Sequence, residues 1–217
     1  MTYSVKEIFH TLQGEGGQAG RAAVFCRFSG CNLWSGLEQD RLQAVCQFCD
    51  TEFVGTDGPG GGKFDTAGLL AAAVAAQWPR QPPAAVGRGM RPLVVCTGGE
   101  PLLQLDEPAL AALHGAGFEV AVETNGTRPV PAGVDWVCVS PKAGADLVVT
   151  GGDELKLVFP QAGAEPELYA DLNFSHFFLQ PMDGARQAEN VQLAVQYCLA
   201  NPQWRLSLQT HKLIGLP

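Results

Sequence analysis

Short apolar runs alternate along this chain with segments of helical periodicity, and this alternation constrains the fold more than any other feature. Runs rich in β-branched residues, typical of strands, occur at about 22–28, 93–97, 118–123, 135–140, 154–159, 176–180 and 205–210. Helical spacing of apolar residues is present at 66–78, 106–115, 164–172 and 185–200. Strands that alternate with helices predict crossover connections and a mainly parallel sheet.

The predicted fold is a single α/β domain, residues 1–217, built as an incomplete barrel. The chain has 217 residues, 46% of them hydrophobic, which is enough for one sizeable core but not for two domains. A closed barrel of eight strand–helix units takes ~250 residues, so six or seven strands predict a barrel left partly open. Asp65 and Asp106 are the expected N-caps of the first two helices.

Two segments interrupt the alternation of strands and helices. The loop at 29–63 carries three cysteines and ends in the glycine-rich run 58–62, so we interpret it as functional. The segment 79–92 is rich in proline and glycine, and it is interpreted as a surface connection without chemistry.

Charge and cysteine usage argue against several classes of function. A formal charge of −8 and a pI near 4.9 oppose phosphate-backbone binding, so we expect no direct nucleic-acid partner. We expect a cytoplasmic location without membrane association, because no run approaches ~20 apolar residues and the first residues lack the apolar core of a signal peptide. Since cytoplasmic thiols stay reduced, the seven cysteines indicate metal ligation or buried thiols rather than disulfides.

Polar motifs follow four of the predicted strands at the point where each strand ends. These motifs are Thr-Gly-Gly-Glu at 97–100, Glu-Thr-Asn-Gly at 123–126, Ser-Pro-Lys at 140–142 and Gln-Pro-Met-Asp at 180–183. Because the carboxyl ends of parallel strands form the ligand-binding face of such folds, we expect the four motifs to converge on one site.

Three cysteines have the spacing of a shared metal site. Cys46 and Cys49 are separated by two residues, and fourteen residues lie between Cys31 and Cys46. Three thiolates suit a 4Fe–4S cluster with one open iron, whereas the addition of Cys26 would complete a four-cysteine zinc site. Cys26 lies on the apolar face of a strand pattern, which favours a buried thiol over a zinc ligand. Buried thiols are also expected at Cys96, Cys138 and Cys198.

Several of these motifs resemble those of a known family. The runs at 13–16, 28–33 and 46–51, the four motifs above and the ending at 211–217 are similar to the 7-carboxy-7-deazaguanine synthases, which are radical S-adenosylmethionine (SAM) enzymes. The similarity covers almost the whole chain. Most radical SAM enzymes have three residues between the first two cysteines rather than fourteen, and a longer interval occurs in some members of this family.

The resemblance implies a fold and a reaction. The fold is α/β, a partial TIM-like barrel of the radical SAM type, mainly parallel, with the cluster-binding loop inserted at about 29–63. The reaction converts 6-carboxy-5,6,7,8-tetrahydropterin to 7-carboxy-7-deazaguanine with release of ammonia, a carbon–nitrogen lyase step in queuosine and deazapurine biosynthesis. SAM, a 4Fe–4S cluster and Mg²⁺ are the implied cofactors.

Each motif also acquires an implied role from this resemblance. Cluster ligands are Cys31, Cys46 and Cys49, and Thr51 ligates Mg²⁺ unless it serves as a simple cap. SAM contacts are Phe48, Cys49, Asp50, Gly99, Ser140, Pro141, Lys142, Gln180, Pro181, Met182 and Asp183. Substrate contacts are Leu12, Gln13, Gly14, Arg27, Thr97, His211 and Pro217. Glu123 and Asn125 are the candidate catalytic residues, either at the polar edge of the pterin or in proton transfer.

Four residues have further alternatives or consequences. Arg27 lies on the face opposite Cys26, so it is either solvated on the outside of the sheet or turned into the barrel, where the substrate carboxylate would be its partner in a bidentate pair. His10 and His211 fit a structural role as well as a pocket role. Pro217 is expected to place a terminal carboxylate against the N–H groups of the pterin.

The resemblance also implies partners for the protein, and the residues leave two rival functions open. The resemblance implies a small pterin substrate, an electron donor of the flavodoxin or ferredoxin type, and a homodimer. Two alternatives stay open: a radical SAM reaction on another molecule, including activation of a glycyl-radical enzyme, and a zinc-stabilised binding module without catalysis.

Overall fold

The computed structural model describes residues 2–79 and 91–217. These described residues form nine strands: β1 Tyr3–Leu12, β2 Ala22–Phe28, β3 Gly62–Phe64, β4 Leu93–Gly98, β5 Glu119–Thr124, β6 Trp136–Val139, β7 Gly151–Phe159, β8 Asn173–Pro181 and β9 Trp204–Leu206. Four α-helices are α1 Ala67–Gln77, α2 Glu107–Gly115, α3 Gln187–Ala200 and α4 Thr210–Ile214. Within the described ranges, no helix has the length and apolar character needed to cross a membrane.

All nine strands belong to one sheet, in the order β3-β1-β2-β4-β5-β6-β7-β8-β9. The pairings from β2 to β9 are parallel, and β1 pairs antiparallel with both β2 and β3. The sheet is therefore open and mainly parallel. This architecture confirms the expected partial barrel.

Alternation along the strands separates a packed outer face from an inner face that lines a cavity. On β2, Cys26 and Phe28 are buried in the apolar layer under α1 and α2, whereas Phe25 and Arg27 line the cavity. On β7, Leu155 and Leu157 pack into a second apolar cluster beneath α3. Because side chains alternate between faces with a period of two, each strand contributes both to the core and to the site.

Two helix starts show how local sequence fixes the elements. The carboxylate of Asp106 accepts from the N–H of Ala109 at 3.0 Å, so the predicted cap of α2 is confirmed. The predicted cap of α1 at Asp65 is wrong by one residue. The hydroxyl of Thr66 performs this role and accepts from the N–H of Leu69 at 3.2 Å.

Several predicted elements differ from those observed. The helix expected at 164–172 is only a 3-10 turn at Pro166–Leu168, and its apolar Leu168 is exposed rather than packed. The final strand ends at Leu206 instead of residue 210, because the chain turns there into α4. β1 and β3 were not predicted. The connection predicted at 79–92 lies mostly outside the described residues.

Candidate active site

A cavity of about 490 Å³ opens on the inner face of the sheet. Residues from all four predicted motifs line it, among them Thr97, Glu123, Ser140 and Gln180. The expected convergence at the carboxyl ends of the strands is therefore confirmed.

Three cysteines line one end of this cavity. Cys31 follows β2, and Cys46 and Cys49 come from the loop before β3. A hydrogen bond between the thiols of Cys46 and Cys49 lowers the pKa of Cys49 to about 6 and raises that of Cys46, while burial raises the pKa of Cys31. Soft sulfur donors with one thiol that ionises readily are suited to iron–sulfur or zinc ligation.

Cys26 does not join these three thiols. It is 1% exposed in the outer apolar layer, and in the parallel pairing of β2 with β4 it lies beside Cys96. Burial raises the pKa of both thiols. This position opposes a four-cysteine zinc site and confirms the expectation of buried thiols at Cys26 and Cys96.

The remaining cysteines are placed differently. Cys138 is 1% exposed, as expected, but it also lines the cavity from β6. Cys198 on α3 is half-buried against the second apolar cluster.

Two glycines allow the loop that carries Cys31 to pack tightly on β4. A Cβ on Gly98 would lie 2.2 Å from the carbonyl oxygen of Phe28, and one on Gly99 would lie 2.1 Å from that of Gly30. Gly98 also has a φ of +134°, which strains any other residue. The Thr-Gly-Gly motif thus holds the backbone before Cys31 against the end of β4.

The buried carboxylate of Glu100 completes this support. It is fully buried and accepts from the N–H groups of Leu102 and Asn125 and from the hydroxyl of Thr124, at 2.8–2.9 Å. These bonds tie the end of β4 to the end of β5. Burial nevertheless raises the pKa of Glu100 above its usual value.

Glu123 projects from β5 into the cavity and has three polar partners. It accepts from the ammonium of Lys156 at 3.1 Å, from the side-chain amide of Gln13 at 3.1 Å and from the hydroxyl of Thr97 at 3.0 Å. Burial alone would raise the pKa of Glu123, but the charge and hydrogen bond of Lys156 and the other two donors lower it below the usual range. The cavity therefore contains a partly buried, ionised carboxylate.

Asn125 faces the cysteine end of the same cavity. Its amide donates to the side-chain oxygen of Asn32 at 3.0 Å, and its own oxygen accepts from the N–H and the hydroxyl of Thr127. These contacts join β5 to the residue that follows Cys31. Asn125 thus bridges the loop of the first cysteine and the motif at 123–126.

Arg27 lines the cavity with one side of its guanidinium already engaged. Its Nε donates to the carboxylate of Glu7 on β1 at 2.7 Å. The Arg27 side chain is 18% exposed, and among the described residues its two terminal nitrogens make no hydrogen bond. Those nitrogens are suited to a second, incoming carboxylate.

The motif at 140–142 contributes a cation. The ammonium of Lys142 donates to the carbonyl and the hydroxyl of Ser140 at 2.6 and 2.7 Å. Burial lowers its pKa, although the neighbouring Cys46 and Cys49 oppose this shift. Pro141 is buried and does not line the cavity.

The segment after β9 closes over the cavity. Lys212 donates to Asp50 at 2.8 Å and to Asp183 at 2.5 Å, and the side chain of Gln209 bonds to Asp50 and Glu15. The segment thereby joins the cysteine loop to the end of β8.

Two further contacts hold this segment against β1 and the loop that follows it. Thr210 donates twice to the carbonyl of Gly14, which leaves Gly14 beneath His211 rather than at the cavity surface. The carbonyl of Pro217 accepts from Thr11 at 3.4 Å.

Most residues proposed from the sequence lie around this one cavity. Those that line it are Leu12, Gln13, Arg27, Cys31, Cys46, Phe48, Cys49, Asp50, Thr51, Thr97, Gly99, Glu123, Asn125, Ser140, Lys142, Gln180, Pro181, Met182, Asp183, His211 and Pro217. His10 does not belong to it. That side chain points away from the cavity and packs edge-on against Trp78, with ring centroids 4.9 Å apart.

Sequence reasoning assigned no role to six charged or amide side chains that line the cavity. These are Glu7, Glu15, Glu52, Lys156, Gln209 and Lys212. Lys156 had a detectable signal, because it is a single cation inside the apolar run of β7. Glu15 lies in the Gln-Gly-Glu-Gly run at 13–16, but no role was predicted for it.

Comparison with known proteins agrees with the geometry of this cavity. No protein-family model matches the chain. Over the full length of both proteins, it is 70% identical to 7-carboxy-7-deazaguanine synthase from Caulobacter vibrioides and 65% identical to the protein of that name from Bordetella pertussis. The crystal structure of QueE from Escherichia coli is similar with a TM-score of 0.70 and 27% identity, and the match covers 96% of this chain and 94% of that one. With its three cysteines, its carboxylates and its full-length relatives in agreement, this chain belongs to the 7-carboxy-7-deazaguanine synthase family.

Proposed function

We propose that the protein converts 6-carboxy-5,6,7,8-tetrahydropterin to 7-carboxy-7-deazaguanine with release of ammonia, as a radical SAM enzyme of deazapurine and queuosine biosynthesis. One observation carries this proposal: the three cysteines and the polar residues Arg27 and Glu123 line the same cavity. Full-length relatives that are 65–70% identical and named for this product support it.

The cysteine end of the cavity fits the cofactors of such an enzyme. Cys31, Cys46 and Cys49 would hold a 4Fe–4S cluster through three irons. With SAM bound at the remaining iron, the cluster supplies one-electron cleavage of a carbon–sulfur bond. The SAM contacts would come from Phe48, Gly99 and the motifs at 140–142 and 180–183. Lys212 joins the last of these motifs, at Asp183, to Asp50 beside Cys49.

Other residues of the same cavity fit the pterin. Arg27 offers two terminal nitrogens to the substrate carboxylate while Glu7 fixes its orientation. The ionised carboxylate of Glu123 is placed to accept from pterin N–H groups or to receive a proton before ammonia leaves. The stacked rings of Phe9 and Phe25, whose centroids are 5.6 Å apart, line the same cavity and would shield a bound substrate from water.

Further components of the proposal are carried by the family resemblance. Thr51, next to Cys49 at the cavity surface, would ligate Mg²⁺ together with substrate oxygens. Pro217 would bring a carboxylate to the substrate, and its carbonyl is held by Thr11. We also propose a homodimer, a cytoplasmic location and an electron donor of the flavodoxin or ferredoxin type. Light scattering of the purified protein tests the dimer.

The decisive experiment is an anaerobic turnover assay with reconstituted enzyme, SAM, a reductant and carboxytetrahydropterin. We expect 7-carboxy-7-deazaguanine and ammonia in equal amounts, and no product from a Cys31→Ala variant. Cleavage of SAM without consumption of the pterin would instead indicate a radical SAM enzyme for another substrate. A protein that binds zinc and cleaves no SAM would overturn the proposal.

A further inference from the structure

A buried lysine connects two carboxylates inside the cavity. The ammonium of Lys156 donates to Glu15 and to Glu123, the latter at 3.1 Å. Its side chain is 6% exposed, and those of Glu15 and Glu123 are 14% and 20% exposed. The two carboxylates come from different parts of the fold, since Glu15 follows β1 and Glu123 ends β5.

The position of Lys156 on β7 is fixed by strand alternation. Leu155 and Leu157 are fully buried in the apolar cluster on the outer face, so Lys156 must point inward. Nothing in that packing requires a cation, and an isolated ammonium is expensive to bury. Its charge is therefore balanced by groups on the inner face of the sheet.

Those groups are predominantly acidic. Burial alone would lower the pKa of Lys156, but Glu123 and Glu15 raise it well above its usual value, and Cys138 and Glu154 act in the same direction. The fifth facing group is the cation of Lys142, at the cysteine end. Lys156 thus stays charged across the pH range in which an enzyme works.

We propose that Lys156 is a positioning residue of the active site, whose ammonium joins Glu15 to Glu123 and keeps Glu123 a charged acceptor facing the substrate. Gln13 and Thr97 orient the same carboxylate as neutral donors, but they supply no charge. Without Lys156, desolvation would favour the protonated form of Glu123, which neither accepts a proton nor accepts two N–H groups as strongly. Only the consequence for turnover rests on the proposed function.

A direct test measures the protonation of Glu123 without substrate. Infrared spectra at neutral pH are recorded for the cluster-loaded wild type, Lys156→Met, and the double variant Lys156→Met with Glu123→Gln. We expect Lys156→Met to gain a protonated-carboxyl band relative to wild type, where the buried Glu100 sets the background, and we expect the double variant to lack that gain. Absence of the gain from Lys156→Met, or its persistence in the double variant, would overturn the proposal.

Lys6 provides a matched control for this measurement. It is 9% exposed at the side chain and also bridges two carboxylates, Glu52 and Asp57, each at 2.8 Å. Those carboxylates are 79% and 82% exposed, so water keeps them ionised without the lysine. Lys6→Met should show no such gain over wild type at neutral pH, and an equal gain there would overturn the assignment to burial at Lys156.

The pH dependence of turnover gives a second readout. Loss of a purely structural lysine would not shift it in the way described here. In Lys156→Met the acid limb of the kcat profile should move upward by about 1–3 pH units, because an opposite charge at this distance lowers a carboxyl pKa by that amount. Lys156→Arg retains the charge and should keep the limb near its wild-type position. Equal profiles for Lys156→Met and Lys156→Arg would overturn the proposal.

Two controls separate this proposal from other failures. Iron content and thermal midpoint identify a variant that has lost its fold, in which case Lys156→Gln, which is closer to lysine in polarity, is measured in the same way. If the wild type forms no 7-carboxy-7-deazaguanine, the proposed function fails, whereas the infrared comparison still decides the role of Lys156.

Discussion

At the scale of single residues, the cysteines divide into ligands and core thiols by the face on which they lie. Cys31, Cys46 and Cys49 line the cavity, whereas Cys26 is 1% exposed beneath the helices. Replacement of any of the first three by alanine should remove most of the iron and abolish SAM cleavage, because each thiolate would hold a separate iron. Cys26→Ala should keep its iron and lose only about 1 kcal/mol of stability. Iron and sulfide analysis checks this, and equal iron loss in Cys26→Ala would contradict it.

Thr51 supports a second prediction at this scale. Thr51 lines the cavity two residues after Cys49. Thr51→Val keeps the shape of the side chain and removes the oxygen ligand, so turnover should no longer respond to Mg²⁺. Thr56→Val, in the same loop but away from the cavity, is the control and should respond like wild type. Titration of the initial rate with Mg²⁺ measures both; a normal response in Thr51→Val would exclude the ligand role.

The candidate site was predictable where residues belong to a motif and less so where only the fold brings them together. Strand alternation placed Arg27 on the face opposite Cys26 without deciding between the inside and the outside of the barrel; the family resemblance favoured the inside, and Arg27 does line the cavity. Glu7 was not found, because it becomes a partner of Arg27 only through the pairing of β1 with β2. Gln209 and Lys212 reach the cavity through a turn after β9 for which the sequence has no strong signal.

At the scale of elements, α4 links two segments of the chain that line the cavity. Lys212 bridges Asp50 in the cysteine loop and Asp183 at the end of β8. In Lys212→Met these partly exposed ion pairs are lost, at a cost of roughly 1 kcal/mol together, which corresponds to about a fivefold rise in the KM for SAM. Faster hydrogen exchange at 210–217 should accompany it. Lys63→Met, on the exposed side of β3, is the control, and unchanged exchange in Lys212→Met would refute the linking role.

Elements were predictable where apolar periodicity reflects burial. The parallel strands at the centre of the sheet were found because both of their faces are buried, which gives continuous apolar runs. β1 was missed because it lies near the edge and carries Lys6, Glu7 and His10 among its apolar residues. The helix predicted at 164–172 is wrong for another reason: Ala164, Tyr169 and Leu172 pack against the second apolar cluster without forming a helix, and only a single 3-10 turn is present at Pro166–Leu168.

At the scale of the whole molecule, Asp135 connects three parts of the sheet and helix layer. It accepts from the N–H of Val120 at 2.8 Å, contacts His114 on α2 at 2.8 Å and lies 3.4 Å from Arg91. Burial alone would raise its pKa, but these partners lower it. The folded state therefore binds this proton less readily than the unfolded chain does. The resulting stability is present above the unfolded pKa of about 3.9 and is lost as the pH falls through the folded value.

Asp135→Asn should consequently destabilise the protein at pH 7 by about 1–3 kcal/mol. The difference from wild type should shrink as the pH falls below about 4, where wild type loses the same contribution. Thermal midpoints measured from pH 7 to pH 3 test this sign. Asp65→Asn, at an exposed carboxylate, should show neither effect. A difference that grows toward low pH would contradict the linkage.

The single nine-stranded sheet also predicts how the molecule unfolds. The apolar cluster under α1 and α2 and the cluster under α3 both pack against Val137 on β6, and hydrogen-bonded strands run without interruption between them. A boundary between independent domains would instead have few contacts across it. We therefore expect Cys96 in the first cluster and Leu179 in the second to exchange their amide hydrogens only through the same global opening. Native-state hydrogen exchange in increasing denaturant should bring both amides to one free energy, with α4 opening at a lower one. Two separate plateaus for Cys96 and Leu179 would show two unfolding units and exclude a single domain.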